Sequence, residues 1–157
     1  MANQGTFTSG QVLSAAELNG FTQVTALLQS TVQSIPSNTV TTVTFPDSEI
    51  VDVGGWHSTS TNNDRIIPTV NGIYLVAVHN QIIYSGGSIF YETGILKNGT
   101  LIAANTFNGS PYPGGAVAVV MSANGTTDYF ASSIYQASGS AQNTLRATFS
   151  CTLLRAL

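Results

Sequence analysis

Five Asn-Gly pairs punctuate this chain: Asn19-Gly20, Asn71-Gly72, Asn98-Gly99, Asn108-Gly109 and Asn124-Gly125. Both residues tolerate the positive φ that a tight two-residue turn demands at its centre. Asn-Gly flanked by apolar alternation is therefore the strongest short-range hairpin signal a sequence offers. The last four pairs separate or open runs of β-branched, aromatic and small residues. Most of the chain is predicted to be antiparallel β.

The strand pattern begins at Thr39, where Thr39 to Phe45 and then Ile50 to Trp56 are rich in Thr, Val and Ile on either side of a Pro46-Asp47 break. Residues 73 to 84, Ile-Tyr-Leu-Val-Ala-Val-His-Asn-Gln-Ile-Ile-Tyr, are apolar on both faces over most of their length. Such a strand is covered on both sides, by the domain core on one and by a second sheet or a neighbouring subunit on the other. Ile89 to Lys97 and Thr100 to Asn105 are predicted to form a hairpin at Asn98-Gly99, and Ala116 to Met121 and Thr127 to Gln136 another around Asn124-Gly125. In the final strand Leu145, Ala147, Phe149, Cys151 and Leu153 share one face, and Arg146, Thr148, Ser150 and Thr152 the other. Some eight short strands at this spacing predict an antiparallel sandwich or jelly roll.

Ahead of the strands, residues 14 to 35 read as a helix. Ser14 followed by Glu17 is a capping box, with Leu13 and Leu18 placed as the hydrophobic staple. Leu18, Phe21, Val24, Leu28, Val32 and Ile35 then form one apolar stripe, which Pro36 ends. Asn19-Gly20 falls inside this helix, where Gly20 costs about 1 kcal/mol relative to Ala. The opposite face carries Gln23, Gln29, Ser30 and Gln33 rather than charges, as expected of a helix that docks into a socket on another protein, forms a short trimeric coiled coil or packs on its own β-domain. At 157 residues the chain holds a single core plus this appendage, so the expected division is an attachment segment 1–38 and a β-domain 39–157.

Charged residues make up 7% of the chain, and Ser, Thr, Asn, Gln and Gly fill the polar positions. So few charges point to a surface largely covered by copies of itself or by a larger assembly. Lys97, Arg65, Arg146 and Arg155 are scattered and form no basic stripe, which argues against nucleic-acid binding. The N-terminus lacks the basic start and apolar stretch of a secretory signal, and no window approaches the ~20 apolar residues of a membrane span. The chain is expected to be made in a cytoplasm and not to enter a membrane. The three Asn-Gly-Ser/Thr sequons are then turn chemistry rather than glycan acceptors.

Catalytic patterns are scarce. His57 and His79 are the two histidines, neither in a metal-binding spacing, and no nucleophile-elbow or phosphate-loop motif occurs. His79 shares a strand face with Leu75, Ala77 and Ile83 and is expected to be a hydrogen-bonded structural residue. Asp47, Glu49 and Asp52 form a carboxylate cluster that matches no calcium loop and is expected to be a solvated loop. Cys151, alone, is expected to be buried and inert. The chain therefore predicts no enzyme, no cofactor and no metal. One loop, Phe107 to Gly115, combines turn formers with aromatics, and Phe107 and Tyr112 are candidates to stack on a sugar or partner.

Two resemblances sharpen this picture. Pro68 followed by Gly72-Ile73-Tyr74 at the head of a long strand, and Asn98-Gly99 in a later hairpin, resemble the tumour necrosis factor and complement-head jelly roll over roughly residues 40 to 157. The chain departs from that pattern in having Asn124-Gly125 where Gly-Asp usually precedes the next-to-last strand. The resemblance implies a tight homotrimer with the long strand at its centre, and hence Tyr74, Val76, Val78, Ile82 and Tyr84 as trimer-interface candidates. The stretch Phe7 to Asn19 is similar to the start of many tailed-bacteriophage structural proteins, with Ser14 in place of the usual Thr. That likeness implies attachment to other virion proteins of capsid or tail through Leu13, Ser14, Glu17, Leu18, Phe21 and Leu28. Together they predict a homotrimeric virion knob of the capsid-decoration, head-fibre or short tail-fibre kind. The alternative is a fibre tip that binds a host-surface glycan or protein during adsorption.

Overall fold

The computed structural model describes residues 25–30, 32–46, 48–109 and 111–157. The strands in chain order are β1 (Thr25–Ser30), β2 (Ser34–Ile35), β3 (Thr41–Thr42), β4 (Ser48–Asp52), β5 (Arg65–Ile66), β6 (Asn71–Ile82), β7 (Ile89–Lys97), β8 (Thr100–Gly109), β9 (Gly114–Asn124), β10 (Phe130–Gln136) and β11 (Gln142–Ala156). They build two antiparallel sheets. The first runs β4-β1-β11-β6-β9, with β2 also on β11; the second runs β3-β10-β7-β8, with β5 also on β10.

The strand period of two decides what lies between the sheets. Along β6 the even-numbered residues Tyr74, Val76, Val78, Asn80 and Ile82 are buried while the odd ones point out. Ala147, Phe149 and Cys151 of β11 and Ala26 and Leu28 of β1 join them from the same sheet. Phe130 and Ile134 of β10 and Tyr91 and Ile95 of β7 close the core from the other. Rings bridge the layers: Trp56 meets Tyr74 edge-on with centroids 5.5 Å apart, and Tyr74 lies 6.0 Å from Phe130. The expected alternation of β11 holds from Ala147 to Cys151. A register shift between Thr144 and Arg146 breaks it, and Leu145 turns outward.

The helix expected over residues 14–35 is not what forms in its described part. Residues 25–30 are strand β1, paired along their whole length with β11, and residues 34–35 are strand β2. Leu28, assigned to the attachment face, is wholly buried in the β-core opposite Phe149. The spacing Leu28, Val32, Ile35 mimics a helical stripe, but Ala26, Leu28 and Ser30 are the residues that go inward, at period two, and Val32 stays exposed. A long partner strand offers every backbone group of 25–30 a ladder bond, and that outweighs local propensity. The remaining attachment candidates, Leu13, Ser14, Glu17, Leu18 and Phe21, lie outside the described residues.

Of the Asn-Gly pairs, Asn98-Gly99 is the two-residue hairpin expected, with φ of 52° and 79° joining β7 to β8. Asn124-Gly125 is not a hairpin, because β9 and β10 belong to different sheets. Its turn crosses the top of the sandwich, with the Asn124 side-chain oxygen accepting the N–H groups of Thr126, Thr127 and Asp128. Gly125 has φ of 72° and runs so close to Asn71 that a Cβ there would sit 2.5 Å from its nitrogen. Asn71-Gly72 opens β6 as expected, and Asn108-Gly109, expected in a loop, ends β8.

Candidate functional site

The parity of β6 turns the residues expected at an interface into the sandwich. Tyr74, Val76, Val78 and Ile82 are consumed by the core, and Tyr84, just past the strand, packs against it half-buried. What the first sheet offers outward is the alternate set, Ile73, Leu75, Ala77, His79 and Gln81. Beside it in register lie Ser122, Val120, Ala118 and Ala116 of β9 and Thr148, Ser150 and Thr152 of β11. Leu75 is 40% exposed and Val120 57%. Ala77, Ala116, Ala118, Thr148 and Ser150 surround His79 in a shallow depression of about 410 Å³, its floor set by small side chains. His79 is thus exposed on this face rather than held as a structural histidine. Arg146, opposite Gln81, and Arg155, opposite Ile73, bracket the uncharged stretch.

A second apolar surface lies along the open edge where β8 and β9 meet. Among the described residues β8 pairs with β7 alone and β9 with β6 alone, and the two edges are joined by the Asn105 amide donating to the Ala116 carbonyl at 3.0 Å. Leu101 and Ile102 are each 47% exposed here. Ile102 stands at a register shift between Ile95 and Leu96, the added residue that turns the edge outward. The methyl of Leu101 occupies the space above Gly94, where a Cβ would lie 2.6 Å from it.

The polar candidates are committed elsewhere. Nδ1 of His57 lies 2.9 Å from Glu49 Oε1, and Nε2 3.3 Å from the Asn63 carbonyl. The Asp52 carboxylate accepts the N–H groups of Trp56 and His57, so it organises a turn rather than standing free in solvent. Asp47 lies outside the described residues. Burial pushes the Cys151 thiol well above its usual range, so it is protonated at neutral pH. Burial likewise pushes the Tyr74 hydroxyl up to about 12 while it donates to the Val70 carbonyl. Phe107 and Tyr112 occupy different elements. Phe107 is in β8 opposite Tyr91 with its ring over Gly109, whereas Tyr112 sits in the β8–β9 connection at φ 55°, its N–H donating to the Tyr84 carbonyl. The sequence reading missed one aromatic pair, Phe90 and Tyr135, which meet edge-on at 5.8 Å. They lie 45 positions apart in the chain, and only the pairing of β7 with β10 brings them together.

With two sheets in this order, a buried Gly-x-Tyr strand beside the C-terminal strand and an open β8–β9 edge, the architecture is settled. The fold is a tumour necrosis factor and complement 1q-like jelly roll. The globular domain of zebrafish complement 1qA superposes with a TM-score of 0.58 at 13% identity, covering 85% of this chain and 98% of that one. The Eiger tumour necrosis factor of S. frugiperda gives 0.59 at 12%, covering 86% and 94%. The vertex protein P5 of phage PRD1 gives 0.60 at 15%, covering 83% and 96%. No protein-family model matches the sequence, and no curated protein matches it. At these identities the likeness is one of fold.

Proposed function

We propose that this chain is a non-enzymatic structural knob of a phage virion, assembled as a homotrimer and attached to the particle by the residues ahead of β1. The observation that carries the reading is the pair of unlike apolar surfaces on one molecule: the outer face centred on Leu75, Ala77 and Val120, and the β8–β9 edge with Leu101 and Ile102. Two different patches that fit one another make a head-to-tail contact, which closes into a ring when the rotation permits. A two-fold dimer would instead bury one patch against its own copy. Three copies is the number implied by the jelly-roll resemblance, and each contact removes apolar area from water at roughly 25 cal/mol per Å².

A virion setting is supported by the low charge, by the phage-like start Phe7 to Asn19, and by the shared fold with a phage vertex protein. Capsid decoration, head fibre and short tail-associated fibre are the placements proposed for such a knob. Light scattering of the purified full chain tests the assembly. The expected mass is about 49 kDa, three copies of a 16.4 kDa chain, and a stable monomer overturns the reading. A cryo-EM map of the particle that carries the protein then shows which neighbour contacts residues 1–24.

A further inference from the structure

The outer face of the second sheet carries a cluster of side chains that neither the core nor the two apolar surfaces use. Phe90 on β7 is 39% exposed and stands edge-on to Tyr135 of β10 at an interplanar angle of 72°. The Tyr135 hydroxyl is held by the Asn38 side-chain oxygen at 3.2 Å, which fixes the ring. Strand register lines up polar groups beside the rings. Tyr135, Glu92 and Thr106 form one cross-strand row over β10, β7 and β8, and Phe90 faces Asn108 in the next. Adjacent strands lie about 4.8 Å apart, so the three-strand row spans roughly 10 Å. Thr106 and Asn108 are exposed, and Glu92 is half-exposed.

We infer that this platform binds a neutral oligosaccharide. Two rings near a right angle leave one electron-rich face open to the C–H face of a pyranose. Asn108 both donates and accepts, Thr106 does the same, and the Glu92 carboxylate accepts from neighbouring hydroxyls. This is the small set of placed polar groups beside an apolar surface that orients a ligand. Glu92 is the one charged side chain of the patch, so an anionic sugar is repelled and a neutral one is not. The site also stands in a suitable place. β1 starts at Thr25, at the level of Leu75, and runs toward Ser30, at the level of Asn80. It thus heads toward the end of the sandwich where β6 finishes and β7 begins, so Phe90 lies at the end away from where the chain joins the sheet. The inference rests on the knob reading for that orientation, and for the outer face of the second sheet staying uncovered in the assembly.

The test is a binding screen of the full-length protein against a panel of neutral oligosaccharides built from glucose, galactose and N-acetylglucosamine, with sialyllactose as the anionic member. At least one neutral glycan is expected to bind, and Phe90→Ala and Asn108→Ala are each expected to weaken it tenfold or more. Asn108→Ala removes an exposed side chain and keeps the test valid if Phe90→Ala does not fold. Absence of binding across the panel, preference for sialyllactose, retention of binding in both variants, or loss on Tyr112→Ala instead would each overturn the inference. Light scattering of the same samples reads the assembly separately, so a trimer without glycan binding removes this site and leaves the knob standing.

Discussion

The imidazole of His57, with its side chain wholly out of solvent, meets the carboxylate of Glu49 at 2.9 Å and leans edge-on against Phe45, with ring centroids 6.5 Å apart. The pair ties the start of β4 to the loop that follows the strand, and Phe45 in turn lies 5.8 Å from Phe149 in the core. A surface loop is thereby fastened to the centre of the sandwich. Glu49→Ala leaves a buried imidazole nitrogen without its partner and is expected to cost about 1–3 kcal/mol. Urea unfolding followed by tryptophan fluorescence measures it, since Trp56 belongs to the same loop; a change below a few tenths would show the pair to be incidental.

The two parities of β6 make opposite predictions for neighbouring residues. Leu75→Asp places a charge on the outer face and is expected to give a folded monomer. Val76→Asp places it between the sheets and is expected to abolish folding, because an unpaired buried carboxylate costs several kcal/mol. Circular dichroism with light scattering separates the two. Trimers formed by Leu75→Asp would remove this face from the interface.

Acid sensitivity is expected at the β7–β8 turn. Asp128 accepts hydrogen bonds from the Asn98 amide at 2.7 Å and the Asn124 N–H at 3.0 Å, and pairs with Lys97 at 3.0 Å. The Asn98 bond first, with Lys97 and Asn124 adding to it, holds this carboxyl below the usual carboxylate range. A group depressed in the folded state contributes stability above its unfolded value and loses it as the pH falls through the folded one. Melting temperatures of Asp128→Asn and the parent are therefore expected to converge as the pH falls through and below the usual carboxylate range, with the parent higher at neutral pH. A constant gap would show that ionisation is not the cause.

Gly125 is expected to be less replaceable than Gly99. Both have positive φ, which costs an L-residue about 1–2 kcal/mol, but Gly125→Ala also drives a methyl to within 2.5 Å of the Asn71 nitrogen. At Gly99 the nearest atom to such a methyl is the Tyr129 hydroxyl at 3.5 Å. Thermal melts should rank Gly125→Ala well below Gly99→Ala, and the reverse order would contradict the crossing turn.

The Cys151 thiol, buried opposite Val76, is expected to resist DTNB in the native protein and to react once the chain is unfolded in urea. Rapid labelling under native conditions would show that the β11 core opens readily.

Much of the β architecture was legible because its signals are local. Asn98-Gly99 carries its own turn geometry, and Ala147, Phe149 and Cys151 alternate with Thr148, Ser150 and Thr152 without help from any distant residue. The stretch before residue 36 misled for the same reason. Leu28, Val32 and Ile35 satisfy a helical spacing while Ala26, Leu28 and Ser30 satisfy a strand one, and only the presence of β11 alongside decides between them. Asn124-Gly125 has a local turn signature too, but whether the strands on either side pair with one another depends on which sheet each enters.

By itself, then, the sequence determined that the chain is an antiparallel β-domain with few charges, a long central strand and a single inert cysteine. Turn chemistry and period-two patterning act within a few residues, so they are written in order along the chain. The tertiary structure alone decided which parity of β6 faces the core, leaving Leu75 rather than Val76 on the surface, and brought Phe90 to Tyr135. A strand apolar on both faces reads the same from either side, and register between strands distant in sequence is set by how the whole sandwich closes.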